Sequence, residues 1–164
     1  FLNKNHIQGN INSKIRLGLY YNNELVSLMT FGNLRKALGS TSEDGSYEML
    51  RFCNKLNISV IGAASKLFKH FLKEYKPKEV ISYADRRWSA GNLYRQLGFI
   101  ELRPSKPNYW YIINGVREYR YKYRKSELIK QGFNKDKTEH EIMLEQGIYR
   151  IYDCGNLKFE FKIK

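Results

Sequence analysis

At 164 residues, 42% hydrophobic and 15% aromatic, the chain is long enough to bury a core without disulfide or metal staples and too apolar to be disordered. Its 29 Lys and Arg against 16 Asp and Glu, a formal net charge of +13, point to a polyanionic partner, with nucleic acid ahead of a membrane surface. No apolar run of about 18 residues exists to span a bilayer. Cys53 and Cys154 lack a second Cys or a His at ligand spacing, which predicts reduced, buried thiols in a cytoplasmic protein and no metal site.

In chain order, no signal peptide is visible and the sequence starts at Phe1, so it reads as a fragment with room for a missing N-terminal domain. The Asn5-His6-x-Gln8-Gly9 stretch reads as a loop leaving a short helix. His6 is a candidate general base there, the plain alternative being a turn-capping histidine. Ile15 to Tyr21 and Leu25 to Phe31 read as strands joined through Asn22-Asn23, a pair that favours positive φ and a tight hairpin. Asn33 to Ser46 predicts a mobile loop from which Arg35 and Lys36 could touch phosphate. Tyr47 to Cys53 reads as a strand and Asn57 to Ser65 as a small-residue turn. Gly62, Ala63, Ala64 and Ser65 then open a helix with Leu67, Phe68, Phe71, Leu72 and Tyr75 on one face and Pro77 at its end. Such a strand–turn–helix junction gathers free N–H groups and a dipole for a phosphate, or it is simply a tight connection. Val80 to Ala84 reads as a central strand, and Ser89 to Leu97 as a helix capped by Gly98.

Asp85-Arg86-Arg87-Trp88-Ser89 falls at the end of that strand, where ligands gather in open α/β sheets. Arg86, Arg87 and Trp88 offer charge and a stacking face, and Asp85 a carboxylate to orient or deprotonate an amine. The alternative is helix capping and local ion pairs. Tyr109 to Ile113 reads as an aromatic strand turning at Asn114-Gly115. From Arg117 to Lys125, Tyr119, Tyr121 and Tyr123 alternate with Arg120, Lys122 and Arg124. On a strand this would put three cations in a row about 7 Å apart, able to track phosphates. Ser126 to Phe133 reads as a short helix, and Thr138 with Glu141 has capping-box spacing. Ile148 to Asp153 and Leu157 to Lys164 read as strands linked through Cys154-Gly155-Asn156.

Gly62-x-Ala64-x-x-Leu67 followed by Asn92-x-Tyr94-x-x-Leu97-Gly98-Phe99 resembles the GNAT N-acetyltransferase family. The resemblance implies that the first motif holds an acyl-CoA pyrophosphate through Ser59, Gly62, Ala63, Ala64, Ser65 and Asn92. It also implies that Tyr94 protonates the departing thiolate. Ser59 stands where the family usually has Gln or Arg. Residues 17–32, 47–56 and 80–99 are similar to phage Mom-type DNA-modification proteins, a GNAT-like branch that alters the adenine N6 amine. The same blocks, with the ending over 147–161, resemble a domain of phage proteins, some of which carry a Vsr-like or homing-type nuclease ahead of it.

The expectation is therefore one α/β domain: a GNAT-like mixed sheet flanked by helices, with its core at about 5–115 and a basic C-terminal β-hairpin/helix extension over 116–164. Its function would be transfer of an acyl or carbamoylmethyl group to an amine of a base flipped from double-stranded DNA. Asp85, Tyr94 and His6 would carry the chemistry, and Arg86, Arg87, Trp88, Arg117, Arg120, Lys122, Arg124 and Lys125 would bind nucleic acid. The setting would be the cytoplasm of a phage-infected cell. Two rivals are a non-catalytic DNA-binding module of a homing-type endonuclease and an acyltransferase for a protein or small amine.

Overall fold

Asn22 and Asn23 adopt φ of 47° and 60°, the backbone of a two-residue turn that matches strand twist. They join Ile15–Tyr21 (β1) to Glu24–Gly32 (β2) in antiparallel register. The computed structural model describes residues 1–34 and 44–163, so the expected phosphate contacts of Arg35 and Lys36 lie outside the described residues. Ser46–Asn54 (β3) pairs antiparallel with β2, and Glu79–Asp85 (β4) pairs parallel with β3. Between them runs Ala63–Tyr75 (α2), which buries Ala63, Leu67, Phe68 and Phe71. The Phe71 ring stacks on Phe31 at 3.6 Å. Met29, Met49, Val80, Ala84, Phe99 and Phe159 complete that core. Lys76 closes α2 in the left-handed region, its N–H on Leu72 O, ahead of Pro77.

Leu2–Asn5 (α1) precedes the sheet. Asn92–Gln96 (α3) follows β4 and is shorter than the expected Ser89–Leu97. Gly91 in front of it has φ of 81°, and a Cβ there would lie 2.3 Å from the Phe159 ring, so the chain turns at Gly91 before α3 begins. Ile100–Leu102 (β5) pairs antiparallel with Asn156–Lys162, which is strand β9 in chain order. The described sheet runs β1-β2-β3-β4-β9-β5.

Two compact units emerge, Phe1–Pro104 with Leu157–Lys164, and Ser105–Asn156. In the second, Tyr109–Ile113 (β6) turns through Asn114-Gly115 into Val116–Tyr119 (β7), and Tyr149–Tyr152 (β8) flanks β6 on its other edge. Lys125–Lys130 (α4) and Glu139–Glu145 (α5) supply Leu128, Ile142 and Met143, which pack on fully buried Tyr111. Thr138 and Glu141 form the expected capping box. Glu139 Oε1 accepts from Tyr109 Oη at 2.6 Å and Tyr111 Oη at 2.8 Å, and Arg150 donates to Tyr111 Oη at 3.1 Å.

Three expectations change. The cationic row does not exist as a strand, because β7 ends at Tyr119 and Arg120–Tyr123 form a 3-10 turn. Local partners hold those cations: Arg120 sits 4.8 Å from the Tyr109 ring centroid, Lys122 Nζ bonds Glu118 at 2.6 Å, and Arg124 Nη2 bonds Glu127 at 2.9 Å. Strands β8 and β9 belong to different sheets. Cys154 is exposed.

Candidate active site

The site begins where two parallel strands part. Pairing of β3 with β4 stops at Met49 opposite Ser82, although β3 runs on to Asn54 and β4 to Asp85. A bulge sits at the same point. The β2 register steps from Phe31–Met49 to Thr30–Arg51, leaving Leu50 as the extra residue. Bulges re-aim backbone and side chains and interrupt a ladder. Arg51 Nη1 holds the Leu50 carbonyl at 2.8 Å, and its Nε reaches Gly9 O at 3.1 Å. That second bond ties the N-terminal loop to β3. At the apex, Ser82 Oγ donates to Met49 O at 2.8 Å.

A cavity of about 210 Å³ lies in this opening, lined by His6 and Gln8 of the N-terminal loop, Phe52 of β3, Tyr83 to Asp85 of β4, and Trp88, Leu93 and Tyr94. Thus His6, Asp85, Trp88 and Tyr94, far apart in sequence, meet at one place. The Tyr94 ring stacks on Phe159 at 4.7 Å and its hydroxyl donates to Tyr83 O at 3.4 Å. Burial is the main cause that raises its pKa, so the phenol holds its proton at neutral pH. Trp88 is 63% exposed and forms a rim at the mouth.

Two residues occupy the site in roles other than those expected. Arg87 clamps the Asp85 carboxylate with Nε at 3.0 Å and Nη2 at 2.5 Å. This bonding holds the Asp85 pKa below its ordinary value, which makes Asp85 a weak base and an anchor for Arg87. The Gln8 backbone N–H donates to His6 Nδ1 at 3.1 Å. That bond leaves the proton of the neutral imidazole on Nε2, and the ring lines the cavity. Burial and then the nearby Arg51 charge lower its pKa, which keeps it neutral.

Sequence reasoning passed over Glu48, Arg51 and Ser82. Glu48 is 1% exposed and Ser82 fully buried. The Glu48 carboxylate raises the Tyr94 pKa, while Arg51 and a hydrogen bond with Ser82 lower it. The available signal was a Glu and an Arg inside the otherwise apolar stretch Tyr47-Glu48-Met49-Leu50-Arg51-Phe52.

The phosphate motif lies at the start of α2. Gly62 has φ of 73°, and a Cβ there would meet nothing within 4 Å. Among the described residues the N–H groups of Ala64 and Ser65 find no acceptor, as in the first turn of helices generally. Ser59 is exposed in the preceding loop, and Lys66, Lys69 and Lys73 are exposed along the helix. Asn92 spends its Oδ1 on Arg95 Nη1 at 3.2 Å. Among the described residues no three His, Cys, Asp or Glu side chains gather as metal ligands would, and no helix is long and apolar enough to cross a membrane.

No protein-family model matches the chain, and no curated protein matches it significantly. Solved structures do. A ribosomal-protein-alanine N-acetyltransferase from Escherichia coli aligns with a TM-score of 0.51 and 10% identity, over 99% of this chain and 83% of that one. A GNAT-family acetyltransferase candidate from Desulfovibrio desulfuricans aligns with a TM-score of 0.52 and 8% identity, over 91% of this chain and 68% of that one. At such identities the likeness speaks for architecture, and with the parted strands and flanking helices it shows that this chain carries the GNAT acetyltransferase fold.

Proposed function

We propose that the chain is a GNAT-type transferase that moves an acyl- or carbamoylmethyl-type group onto an amine of a nucleic-acid base, the position that Mom-type proteins alter at adenine N6 in DNA. The observation that carries this reading is the opening between β3 and β4 with the Tyr94 phenol beside it. Residues 62–65 fit an acyl-CoA-type donor, because the left-handed Gly62 leaves open space over two backbone donors. A bound thioester would supply the acyl group and a thiolate leaving group.

The chain's own residues would then act as follows. Backbone groups freed where β3 leaves β4 would polarise the carbonyl. Trp88 and Tyr83 would stack on the flipped base, and His6 Nε2–H would orient it. The amine nitrogen would form the new C–N bond as the C–S bond breaks, and Tyr94 would give its proton to the sulfur. The proton shed by nitrogen would restore the Tyr94 phenol by way of solvent at the open mouth. The net charge of +13 supports a polyanionic substrate over a protein or small amine.

The engaged states of Asp85 and His6 favour a second reading, a GNAT-shaped DNA-binding module of a homing-type nuclease that carries out no transfer. Mass spectrometry of nucleosides from plasmid DNA of cells making the chain separates the two. A heavier deoxyadenosine that disappears with Tyr94→Phe supports the transferase. Unmodified nucleosides, no binding of acetyl-CoA and salt-sensitive DNA binding together support the module.

A further inference from the structure

The three-stranded sheet of the second unit has one face covered by α4 and α5 and another whose outer strands carry exposed side chains around the half-buried Trp110 and Ile112. Tyr111 of β6 points to the covered side, onto Leu128, Ile142 and Met143. Side chains alternate along a strand, so Trp110 and Ile112 face the other way. The register sets Tyr119 and Ile151 beside Trp110, and Arg117 and Tyr149 beside Ile112. Tyr119, Tyr149 and Ile151 are 51%, 65% and 46% exposed. The Arg117 guanidinium lies 4.9 Å from the Trp110 ring centroid. Just beyond β7, exposed Tyr121 stacks on Tyr119 at 6.4 Å and 17°, and Arg124 lies 4.3 Å from the Tyr121 centroid.

We infer that this face is a stacking platform for the unpaired bases of a single-stranded nucleic acid. Flat rings in the open accept any base, and a guanidinium over an indole adds a charged plane at the same level. None of the six facing residues is a carboxylate, and Arg117 attracts phosphate. A duplex keeps its bases inside its own stack and offers this surface only a backbone. A second copy of the chain is a poorer occupant, because a two-fold contact would bring one Arg117 toward the other. The inference rests on the nucleic-acid reading above for the kind of polymer and needs none of the transfer chemistry.

The test uses the whole chain without any donor. Anisotropy of a labelled thymidine oligomer of about 20 nucleotides is compared with that of a duplex of the same length. The single strand should bind more tightly. Tyr119→Ala with Tyr149→Ala should weaken it by at least about fivefold per ring, by the usual worth of base–aromatic stacking, and leave duplex and acetyl-CoA affinities unchanged. Arg117→Gln should reduce the slope of log affinity against log salt by about 0.7. Unchanged single-strand affinity in the double variant overturns the inference. So does a double variant that abolishes a dimer in sedimentation without altering oligomer binding, which would make the face a self-association surface. Absence of modified nucleosides alongside intact single-strand binding would remove the transferase reading and keep the platform.

Discussion

In the transfer proposed above Tyr94 would carry the most chemistry of any side chain in the cavity, and little of the fold hangs on its hydroxyl. That hydroxyl makes a long bond to Tyr83 O, 3.4 Å, and a second hydrogen bond with Ser82. Tyr94→Phe should therefore change stability by no more than about 2 kcal/mol. General-acid catalysis is worth roughly 10²–10⁴-fold, so kcat should fall by about 100-fold or more with KM for the amine little changed. Steady-state kinetics and a urea titration check both halves. Asp85 behaves in the opposite way. Its folded pKa lies below the ordinary 3.8, so the stability it contributes is present above that value and is lost as pH falls through the folded value. Asp85→Asn should be less stable than the parent at neutral pH and show a flatter stability profile below about pH 4, read from urea midpoints across pH. The cluster around Trp88 was legible because a charged and aromatic stretch follows a recognisable strand. Glu48 and Arg51 were not, because the Leu50 bulge changes which residues share a face, and alternation carries no mark of an inserted residue.

Among the elements, the connection from β4 to α3 holds the site together. Gly91 has φ of 81° and its Cβ position is 2.3 Å from the Phe159 ring, the same ring on which Tyr94 stacks. Gly91→Ala combines backbone strain with overpacking and should cost about 2–5 kcal/mol, displacing Tyr94. Gly62→Ala at the head of α2 meets no neighbour and should cost only the strain, about 1–2 kcal/mol. Urea denaturation of the two variants gives the comparison, and equal losses would contradict it. Strands, hairpins and α2 could be read from alternation, Asn pairs and apolar spacing. The short α3 and the 3-10 turn after Tyr119 could not. Local partners decide them, through Phe159 packed over Gly91 and Glu118 and Glu127 drawing Lys122 and Arg124 aside.

Across the whole molecule, charge and shape are unevenly shared. Residues 105–156 hold ten Lys and Arg against seven Asp and Glu, so most of the positive excess belongs to the other unit. The ends of the second unit are fastened together, with Ser105 N donating to Asn156 O at 2.8 Å and Asn156 N to Ser105 Oγ at 2.9 Å. Replacing 105–156 by a short Gly/Ser linker should leave a folded first unit that binds acetyl-CoA and retains salt-sensitive DNA binding. The preference for single strands should disappear. Calorimetry and anisotropy read the two. This division was hard to see in the sequence, because β9 alternates like any edge strand and its placement between β4 and β5 depends on partners more than fifty residues away.

The late arrival of β9 also bears on synthesis. A ribosome adds roughly 5–20 residues per second, so the second unit takes roughly 3–10 s to emerge after β5. Throughout that interval the nascent first unit lacks Phe159 and the strand between β4 and β5. An apolar slot stands open beside Tyr94 until β9 appears, so that wall of the cavity is completed only by its translation. Such a slot is a natural hold for a ribosome-associated chaperone, and slow codons placed across 105–156 would lengthen that exposure.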